Sequence, residues 1–208
     1  MTIFQIHLNV AIRCKGSPRK FSQLSAIGKR DAKFYDHWAS KRVYFYQVDL
    51  RGRLFLESPN LERRNDATCL KAIEFLNFFF ERIRPTKFQE GDVRRWKEYI
   101  DLFSAEYPYI SPCGRELNFI KPDDTPIVFK DLIETQAAQE FLLFGGNLLH
   151  PFNPSQVFIG KKTQRVYYLR DDNQEICLIH ADTAQKLAKG FHDDWWEWKS
   201  KKYPLIMK

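Results

Sequence analysis

Along most of the chain the apolar positions follow either a two-residue or a roughly 3.6-residue period, and changes of period mark the elements. Val43-Tyr-Phe-Tyr-Gln-Val48 and Leu54-Phe-Leu56 are two β-rich runs around Asp49-Leu50-Arg51-Gly52, which predicts a hairpin with a positive φ at Gly52. Ser58-Pro59-Asn60 breaks the second run. Asn65 or Asp66 then caps an expected helix to about Ile83. Cys69, Ile73, Leu76, Phe80 and Ile83 mark one face, and Leu70, Phe75, Phe78 and Phe79 widen it. A helix apolar on most sides belongs between layers. Arg84-Pro85 ends it. A second helix is expected from Asp92 to about Phe103, with Val93, Trp96, Tyr99 or Ile100, and Phe103 turned inward.

Further hairpins are expected at Tyr107–Ile120 around Ser111-Pro112-Cys113-Gly114, at Phe141–Phe152 around Gly145-Gly146, and at Gln156–Leu169 around Gly160-Lys161-Lys162. Pro126–Phe129 and Glu175–His180 read as strands, and Asp131–Gln139 as a weak helix. A C-terminal helix is expected from Asp182 or Thr183, with a stripe of Ala184, Leu187, Ala188, Phe191, Trp195 and Trp198. No low-complexity linker divides residues 41–198. The expected class is α+β: antiparallel β-hairpins packed on a buried Phe-rich helix, with a C-terminal amphipathic helix closing one edge. Val48–Leu56 and Ile110–Ile120 share a strand, a turn ending in Gly-Arg, and a second apolar run. Duplication and ordinary hairpin grammar explain that echo equally well.

The 208 residues are 44% hydrophobic and 15% aromatic, which supplies a core and excludes disorder of the whole chain. No run of about 18 apolar residues is present, so no membrane-spanning helix is expected. A net charge of +7 invites a nucleic-acid reading. Its distribution argues otherwise. Six of the 33 basic residues (Arg13, Lys15, Arg19, Lys20, Lys29 and Arg30) lie in residues 1–30, which hold no acid, and the other 27 face 26 acids. A basic, acid-free, Ser-bearing segment has the composition of a mitochondrial presequence. The alternation of Phe4, Ile6, Leu8, Val10 and Ile12 supports a competing reading as a structural strand. Residues 1–40 are expected to be a presequence and flexible lead, and 41–208 a single globular domain working in the mitochondrial matrix. Specific nucleic-acid motifs are absent, so no specific nucleic-acid partner is expected.

Several segments resemble a known family. Arg42-Val-Tyr-Phe-Tyr-Gln-Val-Asp49, Phe79-Phe-Glu-Arg-Ile-Arg-Pro85 and Tyr109-Ile-Ser-Pro-Cys-Gly-Arg-Glu-Leu-Asn-Phe-Ile120 are similar to an uncharacterised animal protein family of unknown function. Many of its members carry predicted mitochondrial presequences. The resemblance covers about residues 41–170 and implies no activity. Residues 86–106 look long for the family, and the Trp-rich end has no counterpart. A weaker resemblance, through Asp123-Asp-Thr-Pro-Ile-Val128, is to a bacterial family of unknown function, and implies a fold of repeated β-rich motifs with a signalling or ligand-binding role.

Two chemistries are worth weighing. Cys113 sits between Pro112 and Gly114 and beside Arg115. A thiol there with a lowered pKa would serve as a nucleophile or redox sensor, with His150, His180 or His192 as its base. The plainer reading is a small residue that fits a tight turn. Arg42, Asp49, Arg53, Arg84, Arg115, Glu116 and Asn118 fall near strand ends, turns or a helix terminus. They would grip a small anionic ligand through guanidinium forks, or lock the hairpins as an ion-pair lattice. No metal is expected, since Cys69, Cys113 and Cys177 form no CxxC pair and no His pair has helical spacing. No cofactor is expected either, because Gly145-Gly146 lacks the rest of a phosphate loop. The Trp195, Trp196 and Trp198 cluster with its lysines fits base stacking, an interfacial helix, or simple packing. The leading functional expectation is a non-catalytic binding or adaptor module for a protein or a small anion. A Cys113-dependent enzyme stands second and a nucleic-acid binder third. N-terminal sequencing of the mature protein is expected to find an N-terminal segment removed, and an intact Met1 in mitochondria-free cytosol would overturn the presequence.

Overall fold

Strand β1 (Val43–Val48) carries buried side chains on both of its faces, and the first half of the chain is assembled around it. The computed structural model describes residues 30–59, 64–65, 67–170 and 175–208. β1 turns through Asp49 and Gly52, the latter at φ +71°, into antiparallel β2 (Leu54–Leu56). The chain continues through α2 (Ile73–Phe80), β3 (Arg84–Pro85) and α3 (Trp96–Phe103) to a second hairpin, β4 (Tyr109–Cys113) and β5 (Glu116–Pro122). That excursion is the crossover which lets β5 lie parallel to β1, as parallel neighbours require. The five strands form a sheet in the order β2-β1-β5-β4-β3.

The two-residue alternation of the strands divides their side chains between two cores. Val43 and Phe45 join Ile110, Leu117 and Phe119 against Trp96, Ile100 and Phe103 of α3. Tyr46, Val48 and Ile120 face the other way, toward Leu76, Phe79 and Phe80 of α2 and toward the second half of the chain. Helix α1 (Ala32–Ser40) begins at Asp31, whose Oδ1 accepts from the Phe34 N–H at 3.0 Å, and rests on the first core through Phe34, Tyr35 and Trp38. These three rings lie ahead of the expected domain start at Lys41 and cover apolar surface that the sheet would otherwise expose. Of the expected presequence and lead over residues 1–40, residues 1–29 lie outside the described ones.

The second half forms β6 (Val128–Phe129), β7 (Asp131–Glu134), β8 (Glu140–Phe144), β9 (Leu148–Pro151), β10 (Val157–Ile159), β11 (Val166–Arg170), β12 (Glu175–Ile179), α4 (Ala181–Ala188), β13 (Trp195–Trp198), β14 (Lys201–Pro204) and β15 (Ile206–Met207). They make a five-stranded sheet, β15-β10-β11-β12-β6, a three-stranded one, β7-β8-β9, and a β13-β14 ribbon. The class is mixed α+β. The expected hairpins at 43–56, 107–120, 141–152 and 156–169 are all present.

Other expectations are corrected. The helix expected over 65–83 is the shorter α2. Asn65 instead closes a turn, its Oδ1 accepting from the Ala67 and Thr68 N–H groups, and Ile73 and Phe78 of α2 are 52% and 42% exposed. Asp92 does not cap α3, because its carboxylate is taken by Arg84. Residues 131–134 are strand rather than helix, since Leu132 and Ile133 stand opposite Leu142 and Phe141 and that pairing outweighs local propensity. The C-terminal helix stops at Ala188. At Gly190 any Cβ would collide with the Glu197 carbonyl, and the Glu197 N–H donates to the Gly190 carbonyl at 2.8 Å. This close return folds the Trp-rich segment into the β13–β14 ribbon, with Trp196 fully buried against Phe191, Trp198 and Tyr203.

Arg30 fastens the start of the domain. Its guanidinium carbon lies 4.4 Å from the Phe34 ring centre, 5.1 Å from Phe45, 5.4 Å from Tyr107 and 5.8 Å from Phe103. Its Nη2 meets Glu106 at 2.5 Å. Arg30→Ala is expected to cost about 1–2 kcal/mol in denaturant unfolding. The exposed Lys33→Ala should change stability by less than about 0.5 kcal/mol, and equal effects would contradict the anchoring role.

Candidate functional site

A cleft of about 1090 Å³ opens between the β3 edge of the first sheet and the β10–β12 surface of the second. Ile83, Pro85 and Tyr109 line it from one sheet, and Phe158, Tyr167 and Ile176 from the other. Local backbone chemistry shapes the second wall. The Gly160 N–H donates to the Arg165 carbonyl at 2.9 Å, closing the β10–β11 turn. A Cβ at Gly160 would stand only 2.6 Å from the Tyr167 ring and from Thr163 Oγ1, so the absence of a side chain lets Tyr167 tuck beneath the turn. The Tyr167 hydroxyl donates to Asp124 at 2.9 Å.

Most charged groups in the cleft are already matched. Asp124 also receives Arg165 at 2.5 Å. Arg84 engages both Asp92 oxygens, at 2.6 and 2.7 Å, and donates to the Lys87 carbonyl. Glu175 pairs with Arg170 at 3.0 Å, yet burial pushes its carboxyl above the ordinary carboxylate value. Burial, and next the Glu175 charge, push the Tyr109 phenol up as well. Lys161 and Lys162 on the turn have no carboxylate partner among the described residues. Lys208 lies beside them, its carbonyl accepting from the Lys161 N–H at 2.7 Å and its Nζ resting 5.0 Å from the Phe158 ring centre.

The residues singled out from sequence do not converge. Of the seven proposed anion-binding residues only Arg84 reaches the cleft, and its fork is occupied. Asp49 and Arg53 form a turn lock. Asp49 Oδ1 accepts from the Arg51 and Arg53 N–H groups, and Oδ2 accepts from Arg53 Nε at 2.7 Å. Arg42, Arg115, Glu116 and Asn118 lie at the opposite end of the first sheet, as the Val43–Leu117 register requires. The structure places these seven residues apart, as separate ion pairs and strand-end residues.

Cys113 belongs to the same strand-end group. Burial raises its thiol above the ordinary value, against the lowering effects of Ser111, Arg82 and Asn118. Ser111 Oγ donates to the Phe79 carbonyl at 2.7 Å, and Asn118 Nδ2 donates to the Ser111 carbonyl at 2.8 Å. This network ties the hairpin to α2. The candidate bases stand elsewhere. His150 stacks on Phe129, His180 caps α4, and His192 stacks on Trp195 at 3.8 Å. The tryptophans are engaged in packing, with Trp198 Nε1 donating to Glu140 at 2.8 Å. Among the described residues no group of three His, Cys, Asp or Glu side chains is placed to hold a metal, and no helix is long and apolar enough to cross a membrane.

Sequence reasoning missed Tyr109, Tyr167, Glu175 and Ile176 as site residues. The Gly160-Lys161-Lys162 turn was the available signal, being a cationic turn beside an aromatic strand.

A family model described as domain of unknown function (DUF4505) matches residues 35–207. Among solved structures, a DUF1285 family protein from Silicibacter pomeroyi DSS-3 aligns at 13% identity over 90% of this chain and 94% of its own, with a TM-score of 0.43. A DUF1285 family protein from Shewanella baltica OS155 aligns at 12% identity over 71% and 92%, with a TM-score of 0.41.

The environment of Cys113 has a kinetic consequence. With iodoacetamide at pH 7 it is expected to label more slowly than the same cysteine in the unfolded chain. Its rate should keep climbing above pH 9, because thiolate accumulates only as pH approaches a pKa lifted above 9.0. Mass spectrometry of the labelled peptide reads this, and fast labelling at neutral pH would restore the nucleophile reading.

Proposed function

Because the chain belongs to the family described as domain of unknown function (DUF4505), its own chemistry must guide the reading, and we propose a non-catalytic module that binds a small anionic ligand in the inter-sheet cleft. The observation that carries this is the cleft itself. It joins a large apolar cavity to a cluster of lysine side chains that have no side-chain carboxylate partner among the described residues, the usual make-up of a small-molecule site. The thiol chemistry weighed as an alternative loses support from the burial of Cys113 and from the distant placement of the histidines. The basic, acid-free N-terminal composition supports the mitochondrial matrix as the place where the module works.

Calorimetric titration of the purified full chain with a panel of aromatic carboxylates, fatty acids and mononucleotides tests the reading. Saturable one-to-one binding by one class is expected. Ile176 is 46% exposed on the cleft wall, so Ile176→Trp fills the cavity without disturbing the core and should weaken binding at least tenfold. Leu149→Trp, at a 47% exposed position on the third sheet, should leave it unchanged. Binding that ignores Ile176→Trp, or no saturable binding across the panel, overturns the proposal.

A further inference from the structure

Resting on the cleft as the ligand site, we infer that the ligand is an amphipathic monoanion, with one carboxylate or sulfonate head and an apolar body lying along β11. The arrangement of charge along that strand carries the inference. Lys161 and Lys162 precede the start of β11, and Lys208 stands beside their turn through its hydrogen bond to Lys161. At the other end of the strand Arg170 pairs with Glu175, whose carboxylate lines the cleft. The four residue steps from Val166 to Arg170 correspond to about 13 Å of extended strand. The cleft is therefore cationic at one end and closed by a matched ion pair at the other, with Tyr109, Phe158, Tyr167 and Ile176 between them.

This polarity selects among anions. A phosphate ester or polyanion is gripped best by guanidinium forks or a nest of backbone N–H groups, which add directed hydrogen bonds to the point charge of a lysine. Both arginines that reach this region from the first sheet and the turn are committed, Arg84 to Asp92 and Arg165 to Asp124. What remains are lysine ammoniums, which act as point charges for a single head group. A second negative charge at the far end of the ligand would be desolvated against Tyr109 and Ile176 and meet no unpaired cation, since Glu175 is held by Arg170. An apolar tail there would lie on Tyr109 and Ile176. The chemistry is shared by a medium-length acyl carboxylate and a two-ring aromatic acid, and probes of both kinds separate these sources.

The test uses the full chain and four probes: decanoate, its neutral counterpart decanol, its two-headed counterpart decanedioate, and 2-naphthoate. Decanoate or 2-naphthoate is expected to bind at least tenfold more tightly than decanol and decanedioate. The better of the two identifies the body as acyl or aromatic. Lys161→Gln with Lys162→Gln should weaken the better acid several-fold and leave decanol unaffected. Circular dichroism and an unchanged melting temperature would certify the fold of that variant, whose substitutions lie at exposed turn positions. If decanol binds as well as decanoate and 2-naphthoate, or decanedioate or a mononucleotide binds as tightly, this inference fails. Binding by a mononucleotide that Ile176→Trp abolishes would still leave the anion-binding module standing. Absence of any saturable binding sensitive to Ile176→Trp overturns the module as well.

Discussion

From Val43 opposite Leu117 to Val48 opposite Pro122, β1 and β5 run side by side in parallel, and this pairing sets the position of almost everything else. It brings together two hairpins, one ending at Leu56 and the other beginning at Tyr109, so the intervening chain must cross over the sheet. Because β1 and β5 are internal strands, both faces are available for burial. One face takes α1 and α3, and the other takes α2 and the second half of the molecule. The cleft is a by-product of that second choice. The β3 edge and Tyr109 of the first sheet end up facing the β10–β12 surface without closing on it.

Charge is distributed in a way that matches this construction. The arginines of the described chain are largely structural. Arg53 locks a turn, Arg84 holds the loop before α3, Arg165 steadies the Gly160 turn, and Arg30 anchors α1 among four rings. The guanidinium suits such work because its planar fork satisfies two acceptors or lies over an aromatic face. Lysines at 161, 162 and 208 are left facing the cavity. The basic excess that first draws the eye in this sequence belongs mostly to residues 1–30, whereas the charge relevant to the cleft is a local cluster within a nearly neutral domain.

The local alternation of Val43–Val48, the Gly-containing turns and the hairpin at Tyr109–Ile120 were legible because each depends on neighbours in sequence. The failures came where a distant partner decided the outcome. Residues 131–134 became a strand by pairing with β8. Phe191, Trp195 and Trp198 happen to satisfy a helical period, and only the contact between Gly190 and Glu197 reveals the turn that removes them from a helix. The candidate site was nearly invisible for the same reason. Tyr109 and Tyr167 belong to different sheets, and nothing in the spacing of either announces the other. Grouping arginines by type failed because pairing in the fold, rather than abundance, determines which cations remain available.

Pro85 gives the mouth of the cleft one more property. It occupies half of the two-residue strand at the margin of the first sheet, and its nitrogen carries no hydrogen to donate. A bare sheet margin ordinarily invites another backbone to dock by continuing the hydrogen-bond ladder. Here the ladder is too short and lacks a donor at Pro85, so an incoming strand from a neighbouring molecule would gain little by aligning with it. Extension of the first sheet by another chain is thereby disfavoured along the border that forms one wall of the cleft.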